Sequence, residues 1–191
     1  FVFLSKNYLM ADNKKETRLK KILMELNSED EKTVSKAIKS LETHGNVSFI
    51  KPLAERLLHG VSEKNQREII ELLSSIKDSS VIADIMDIIE EKKFRPIRKI
   101  MLSAVWNTKV DFSGYIDAFV EIAVQGDFME TLDCLTIIEN LEGPFMEEDI
   151  LEAQLHLKNY LEDTAPKDTQ KSQLLSEIAI AIKDINENLQ E

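Results

Sequence analysis

The chain has 191 residues, of which 43% are hydrophobic and 31% are charged, and its net charge at pH 7 is −11. This composition is typical of a folded, soluble protein and excludes an intrinsically disordered chain. The acidic balance argues against nucleic acid as a partner, because a binding protein must neutralise several phosphates. Only five glycines and four prolines are present, which favours long helices over many short strands.

Cysteine content and hydropathy restrict the setting of the protein. A single cysteine, Cys134, allows neither an intrachain disulfide nor a multi-cysteine metal site, so we expect a reducing, cytoplasmic environment. No stretch approaches the roughly 18 apolar residues of a membrane span, and no membrane partner is expected. The amino end, FVFLSKNYLM, has an apolar run too short for a signal segment. We expect residues 1–11 to form an apolar extension and residues 12–191 to form one domain.

Apolar residues recur at helical spacing along almost the whole chain. The first such stretch covers residues 19–26, and the capping-box pattern SEDE at residues 28–31 predicts the start of a second helix. The last two helices are predicted near residues 145–161 and 170–188. No stretch of convincing length alternates with a period of two, so we predict an all-α protein of about ten helices. The expected ends of the intervening helices include Gly45, Gly60, residues 77–80, Gly126 and Gly143.

The helices are predicted to occur in repeating pairs. Aligning EKTVSKAIKSL, KNQREIIELLSS, RPIRKIMLSAVW and DFMETLDCLTII places Val34, Gln66, Ile97 and Met129 at equivalent positions, with spacings of 32, 31 and 32 residues. A near-constant period of this size predicts a solenoid of helical hairpins. One hairpin cannot bury its apolar face alone, so neighbouring hairpins stack and share a continuous core.

The paired segments SFIKPLAERLL–KNQREIIELLSSI and VIADIMDIIEE–RPIRKIMLSAV resemble the helix pairs of HEAT-repeat proteins. The resemblance covers roughly residues 16–188, and over this range the chain is similar to a small HEAT-repeat domain of the bacterial type. It implies a right-handed α-solenoid of about five HEAT-like hairpins, an armadillo-type fold. It also implies that Arg67 and Arg98 pair with acidic groups of adjacent repeats. Trp106 is expected to cap the core of its hairpin. Because the motif is a packing pattern, it indicates fold better than function.

Charge is unevenly distributed along the chain. Residues 1–110 contain 20 Lys and Arg against 16 Asp and Glu, whereas residues 111–191 contain 4 against 19. The turn within the central repeat carries a basic cluster. An ordinary solvated helix face alternates its signs, so this separation indicates a charge-polarised surface for a partner. An uneven distribution of charge on a solvated surface, without a role in binding, remains an open alternative. The cluster consists of Lys92, Lys93, Arg95, Arg98 and Lys99.

Catalytic, metal and cofactor sites find little support. Acidic residues crowd the predicted start of the ninth helix near His156, but the helix dipole already favours carboxylates there, and the spacing differs from that of di-iron bundles. The three histidines are scattered, no glycine-rich phosphate loop is present, and Cys134 is most simply a small buried residue. We therefore expect no catalytic residues, no metal and no cofactor.

The most economical functional hypothesis is a non-catalytic adaptor that binds a protein or peptide along the ridge formed by the second helices of the hairpins. We expect a monomer or a weakly self-associating protein. The alternative is an accessory subunit or an enzyme acting on a small molecule, as in the HEAT-like lyases that attach pigments to proteins. The candidate contact residues are Lys36, Lys39, Arg67, Arg95, Lys99 and Ser103, with Glu130 and Asp133 at the acidic end.

Overall fold

A computed structural model describes residues 16–44 and 49–189, and within these ranges the chain forms ten α-helices and three short 3-10 segments. The all-α prediction is confirmed. The apolar extension predicted for residues 1–11 and the helix end predicted at Gly45 lie outside the described residues. The helices are α1 (16–26), α2 (Glu31–His44), α3 (Ile50–His59), α4 (Glu63–Ser74), α5 (Ile82–Glu90), α6 (Arg98–Trp106), α7 (Ile116–Gln125), α8 (Phe128–Glu139), α9 (Glu147–Glu162) and α10 (Thr169–Leu189). The 3-10 segments are Ser79–Val81, Lys92–Ile97 and Ser113–Tyr115.

Helices of the same parity pack on one another in chain order. The even helices form an unbroken series in which α2 contacts α4, α4 contacts α6, α6 contacts α8, and α8 contacts α10. Among the odd helices, α3 packs on α5 and α7 packs on α9. Consecutive helices such as α7 and α8, or α9 and α10, also contact each other. The chain is therefore an array in which neighbours in sequence are neighbours in space.

Polar side chains begin several of these helices by accepting hydrogen bonds from otherwise unpaired backbone N–H groups. The Oδ2 atom of Asp30 accepts from the amide of Thr33 at 2.8 Å, so Asp30, two residues beyond the expected Ser28, caps α2. Ser62 caps α4 by accepting from Asn65. Asp127 and the third helical residue after it form a full capping box at α8. These caps fix where α2, α4 and α8 start.

A continuous hydrophobic core runs through the array from α1 to α10. The apolar residues that recur at helical spacing in α2, including Val34, Ile38 and Leu41, are all buried. In the later part of the array, the rings of Phe112 and Phe119 meet edge to face with centroids 6.2 Å apart. The core is thus shared between successive helices, as expected when no single hairpin can cover its own apolar face.

The predictions for two residues of the repeat pattern are wrong. Trp106 is 43% exposed, because it is the last residue of α6 and projects beyond the packed part of the helix. Arg67 is exposed and forms no ion pair with the described residues. Pro96 lies inside the 3-10 segment that precedes α6. None of the helices in the described part of the chain has the length and apolar character that a membrane span requires.

Removing a core side chain should measurably weaken the whole array. Leu73 in α4 is 1% exposed, so Leu73→Ala leaves a cavity and should lower the free energy of unfolding by about 2–5 kcal/mol. The matched control is Leu161→Ala, because Leu161 is 73% exposed, and it should change stability by less than about 0.5 kcal/mol. Urea denaturation followed by circular dichroism measures both. Equal stability of the two variants would contradict the shared core.

Candidate protein-interaction surfaces

A buried ion pair joins α6 to α8. The Nε atom of Arg98 donates to Oε1 of Glu130 at 2.7 Å, and both side chains are more than nine-tenths buried. The second carboxylate oxygen of Glu130 accepts from the amide of Asp127 at 3.0 Å. Burial alone would raise the pKa of Glu130, but the bonds from Arg98 and Asp127 outweigh it and lower that pKa. The prediction that Arg98 pairs with an acidic group is confirmed, and the acidic group lies on the neighbouring helix α8.

Two lysines extend this junction towards the surface and towards α10. Lys99 forms a 2.5 Å ion pair with Asp127, which raises the pKa of Lys99. Lys171 on α10 donates to the carbonyl oxygens of Val124 at 2.6 Å and Gly126 at 2.8 Å. Burial lowers the pKa of Lys171. The end of α7 is thereby connected to both neighbouring even helices.

The close approach of neighbouring atoms at this junction leaves room only for a glycine at position 126. A Cβ atom at this position would lie 2.7 Å from both the Oε2 atom of Glu130 and the carbonyl oxygen of Ile122. Any side chain would therefore displace the buried carboxylate.

Above the ion pair lies an open depression of mixed charge, which we call the mixed-charge depression. Its lining residues are Arg95, Pro96, Lys99, Gln125, Gly126, Asp127 and Glu130.

A second open depression, which we call the basic groove, lies on α2 and the start of α4. It has a volume of about 450 Å³ and contains four lysines and three hydroxyl side chains. Two of the hydroxyl groups, those of Ser40 and Thr43, donate to carbonyl oxygens one turn earlier in α2. The groove is lined by Lys32, Ser35, Lys36, Lys39, Ser40, Thr43 and Lys64.

The lysines of the basic groove differ in how far their charge is neutralised. Lys64 has carboxylate oxygens of Glu31 at 3.8 Å and Glu68 at 3.9 Å. The three lysines on α2 form no ion pair with any described residue. They are exposed, and their ammonium groups therefore point a net positive charge at the solvent. These residues are Lys32, Lys36 and Lys39.

A polar network beneath the basic groove joins α2 to α4. The Nδ2 atom of buried Asn65 donates to the hydroxyl of Ser35 at 2.9 Å and to Oε2 of Glu68 at 3.0 Å. The hydroxyl of Ser35 donates to the same carboxylate oxygen at 2.7 Å. Burial alone would raise the pKa of Glu68, but these hydrogen bonds lower it. Asn65 thus occupies the structural role that the repeat pattern had predicted for Arg67.

The structure brings five of the eight predicted contact residues into the two depressions. Lys36 and Lys39 line the basic groove, whereas Arg95, Lys99 and Glu130 line the mixed-charge depression. Glu130 differs from the expected exposed contact, because its side chain is buried in the pair with Arg98. Lys99 is exposed, but its charge is already matched by an aspartate.

The remaining three predicted residues lie outside both depressions. Arg67 is exposed on α4, and the hydroxyl of Ser103 donates to the carbonyl oxygen of Ile100 within α6. Asp133 on α8 is half-buried, and burial together with the neighbouring charges of Asp127 and Glu130 raises its pKa despite the opposing effect of Lys99. The predicted ridge is therefore not one uniform surface.

Three odd helices are strongly acidic, and one of them, α5, lies in the half of the chain that is basic overall. Helices α5, α7 and α9 contain ten acidic residues and one basic residue, Lys158. Counting charge helix by helix would have found this signal. The carboxylates that interact electrostatically across the odd helices form what we call the acidic face: Asp87, Glu90, Asp117, Glu121, Glu148 and Asp149.

Crowding of carboxylates is visible in two residues of the acidic face. Burial, followed by repulsion from Asp117, raises the pKa of both Glu90 and Asp149.

Among the described residues, no three His, Cys, Asp or Glu side chains are arranged to hold a metal ion. Cys134 is fully buried, and burial raises the pKa of its thiol. The thiol therefore stays protonated and inaccessible.

The buried ion pair should be costly to break and cheaper to replace. Arg98→Met leaves the Glu130 carboxylate buried without its cation and should cost about 3–5 kcal/mol of unfolding free energy. Adding Glu130→Leu should restore part of that loss. The control is Lys93→Met, which breaks an exposed 3.0 Å pair with Glu55 and should cost less than about 1 kcal/mol. Urea denaturation compares the three variants, and a double variant as unstable as the sum of both changes would refute the coupling.

Repulsion on the acidic face should appear as a pH-dependent stability difference. Because the folded protein raises the pKa of Glu90, its ionised form destabilises the fold above that pKa. Glu90→Gln should therefore raise the melting temperature at pH 7, and the gain should vanish as pH falls through the raised pKa towards the unfolded value of about 4.3. Exposed Glu71 provides the control, Glu71→Gln, which should show no such trend. A gain that grows on acidification would disprove the assignment.

Comparison with known proteins supplies no relative for this chain. No protein-family model matches it, and neither the curated proteins nor the solved structures contain a significant match. The chain is an all-helical protein of ten helices in its described part.

Proposed function

We propose that the ten helices form a right-handed α-solenoid of five HEAT-like hairpins, and that the protein is a non-catalytic adaptor that binds an acidic segment of another protein on its even helices. The unbroken packing of α2, α4, α6, α8 and α10 supports the solenoid. The repeat spacing of 31–32 residues and the pair between Arg98 and Glu130 support the resemblance to HEAT repeats. In such an array, an extended partner can cross several helices at once.

The basic groove is the observation that carries the functional proposal. Several exposed lysines are neutralised within their own helix: Lys20, Lys21, Lys158 and Lys183 each have a glutamate carboxylate one turn away. Other exposed lysines, such as Lys51 and Lys77, form no ion pair with a described residue but do not share a helix face with two further unpaired lysines. Only on α2 do three lysines without an ion pair share one helix face among the described residues, and Asp30 and Glu68 act on Lys32 and Lys39 only at longer range. This concentration of positive charge supports a role in binding anionic groups.

The net charge of −11 does not prevent an acidic peptide from binding there. Exposed charges more than about 8 Å apart are largely screened at physiological ionic strength, so the local field of the groove dominates over the distant carboxylates. A nucleic acid differs, because its regular phosphates would extend beyond the groove towards the acidic helices. A short acidic peptide segment is the ligand that fits the charge and the size of the groove.

Charge reversal in the groove should weaken binding of an acidic peptide selectively. The probe is a fluorescently labelled peptide that alternates Glu and Ser, and its affinity is measured by fluorescence anisotropy. Lys36→Glu with Lys39→Glu should weaken binding about tenfold or more. The control, Lys51→Glu with Lys77→Glu, changes net charge equally at exposed lysines outside the groove and should change affinity less than about twofold.

Ionic strength provides an independent check. The affinity of the wild-type protein for the acidic probe should fall as salt rises above the physiological range, because the attraction is between exposed charges. Equal losses in both double variants, or an affinity that does not respond to salt, would contradict the proposed groove. Stabilisation of the protein by a small metabolite, unaffected by Lys36→Glu, would instead favour the small-molecule alternative.

A further inference from the structure

Helix α9 is apolar on two faces, and packing within the protein buries only one of them. Ile150, Ala153 and Leu157 are buried on the side that packs against α7. On the other side, Leu151 is 54% exposed and Leu155 is 53% exposed. A helix at the surface of a globular protein normally has one apolar stripe, with polar residues opposite. The second apolar stripe of α9 is therefore not explained by the core.

The exposed leucines lie among carboxylates. Glu147, Glu148 and Glu152 line the same open depression as Leu151 and Leu155, and we call these five residues the α9 strip. Lys158 on the same helix lies 3.8 Å from Glu162, and none of the three glutamates of the strip forms an ion pair with a described residue. Isolated exposed leucines are common on protein surfaces, but two leucines one turn apart within a dense acidic rim are a more specific arrangement.

We propose that the α9 strip docks an amphipathic basic helix of a partner protein. The apolar residues of that helix, spaced one turn apart, would pack on Leu151 and Leu155, and its Lys and Arg residues would face the three glutamates. Leu151 and Leu155 lie about one helical turn, or roughly 6 Å, apart along the α9 axis, which matches an i and i+4 anchor pair on a partner helix. This surface is separate from the basic groove, since it has the opposite charge and lies on an odd helix.

A second copy of the chain is a weaker fit to the strip than a basic partner. The most exposed apolar residue elsewhere in the described chain is Met24, at 77%, which lies near two lysines of α1. However, Lys20 has the carboxylate of Glu16 at 2.7 Å, and the ammonium of Lys21 lies 3.8 Å from a glutamate one turn later. The positive charge near Met24 is already partly compensated. The unpaired lysines of α2 belong to a helix without a large exposed apolar residue. A second copy therefore does not combine unpaired lysines with apolar anchors on one described helix, whereas an amphipathic basic helix does.

The test uses a synthetic helix-forming peptide of about 18 Leu and Lys residues, with its leucines on one face, and a second peptide of the same composition in scrambled order. Isothermal titration calorimetry measures both affinities. The amphipathic peptide should bind at least about tenfold more tightly than the scrambled one. Leu151→Ser with Leu155→Ser should weaken its binding about tenfold. The control, Met24→Ser with Leu161→Ser, removes two apolar groups that are more exposed than the strip leucines and should change affinity less than about twofold.

The contribution of charge is tested in the same way. Glu148→Lys with Glu152→Lys should weaken binding of the amphipathic peptide more than Glu177→Lys with Asp184→Lys, which changes net charge equally on exposed positions of α10. All these residues are exposed, so each variant should retain the wild-type melting temperature. Equal binding of the two peptides, or equal losses in the strip and control variants, would overturn the proposal. So would self-association of the protein that Leu151→Ser and Leu155→Ser abolish, because the occupant would then be a second copy.

Discussion

A helical hairpin has an apolar face that its own two helices cannot cover, and this constraint determines the rest of the molecule. In this chain the even helices meet it by contacting one another in sequence, from α2 to α10. Side chains on successive even helices therefore become neighbours although they are about 30 residues apart in the chain. The same holds for the odd pairs α3 with α5 and α7 with α9. Surfaces of uniform charge can thus be built from residues that are dispersed in the sequence.

Each junction between even helices carries its own polar arrangement inside this apolar array. Between α2 and α4 the buried amide of Asn65 bonds to Ser35, and between α6 and α8 the guanidinium of Arg98 bonds to Glu130. Buried ion pairs add little stability compared with apolar packing, because desolvation offsets most of their attraction. Their geometric demands are strict, however, and Gly126 leaves space only for the observed position of the carboxylate. These contacts therefore distinguish the correct register of neighbouring helices from alternative registers.

The apolar periodicity was sufficient to predict the helices, and the resemblance to HEAT repeats was sufficient to predict that Arg98 pairs with an acidic group. The same resemblance failed for Arg67, because at the junction of α2 and α4 the side chain that reaches across is Asn65, two residues earlier in the helix. The prediction that Trp106 caps the core was wrong because periodicity does not show that the helix ends at that residue. The candidate surfaces were only partly predicted. Charge counted along the chain places α5 in the basic half, which concealed the acidic face. The sequence pattern also did not show which apolar residues of α9 are exposed, so the leucines of the α9 strip were not predicted.

The two proposed surfaces of opposite charge can act independently only if each keeps its own local field. In the proposed solenoid, odd and even helices form layers whose axes are about 8–10 Å apart, so their outer surfaces are separated by roughly 20 Å. This separation exceeds the Debye length of about 8 Å at physiological ionic strength. Lys36 and Lys39 can therefore attract an acidic segment while Glu148 and Glu152 attract a basic one. Two partners of opposite charge bound on opposite sides would be held in fixed relation by the rigid core between them, which is the mechanical role of an adaptor.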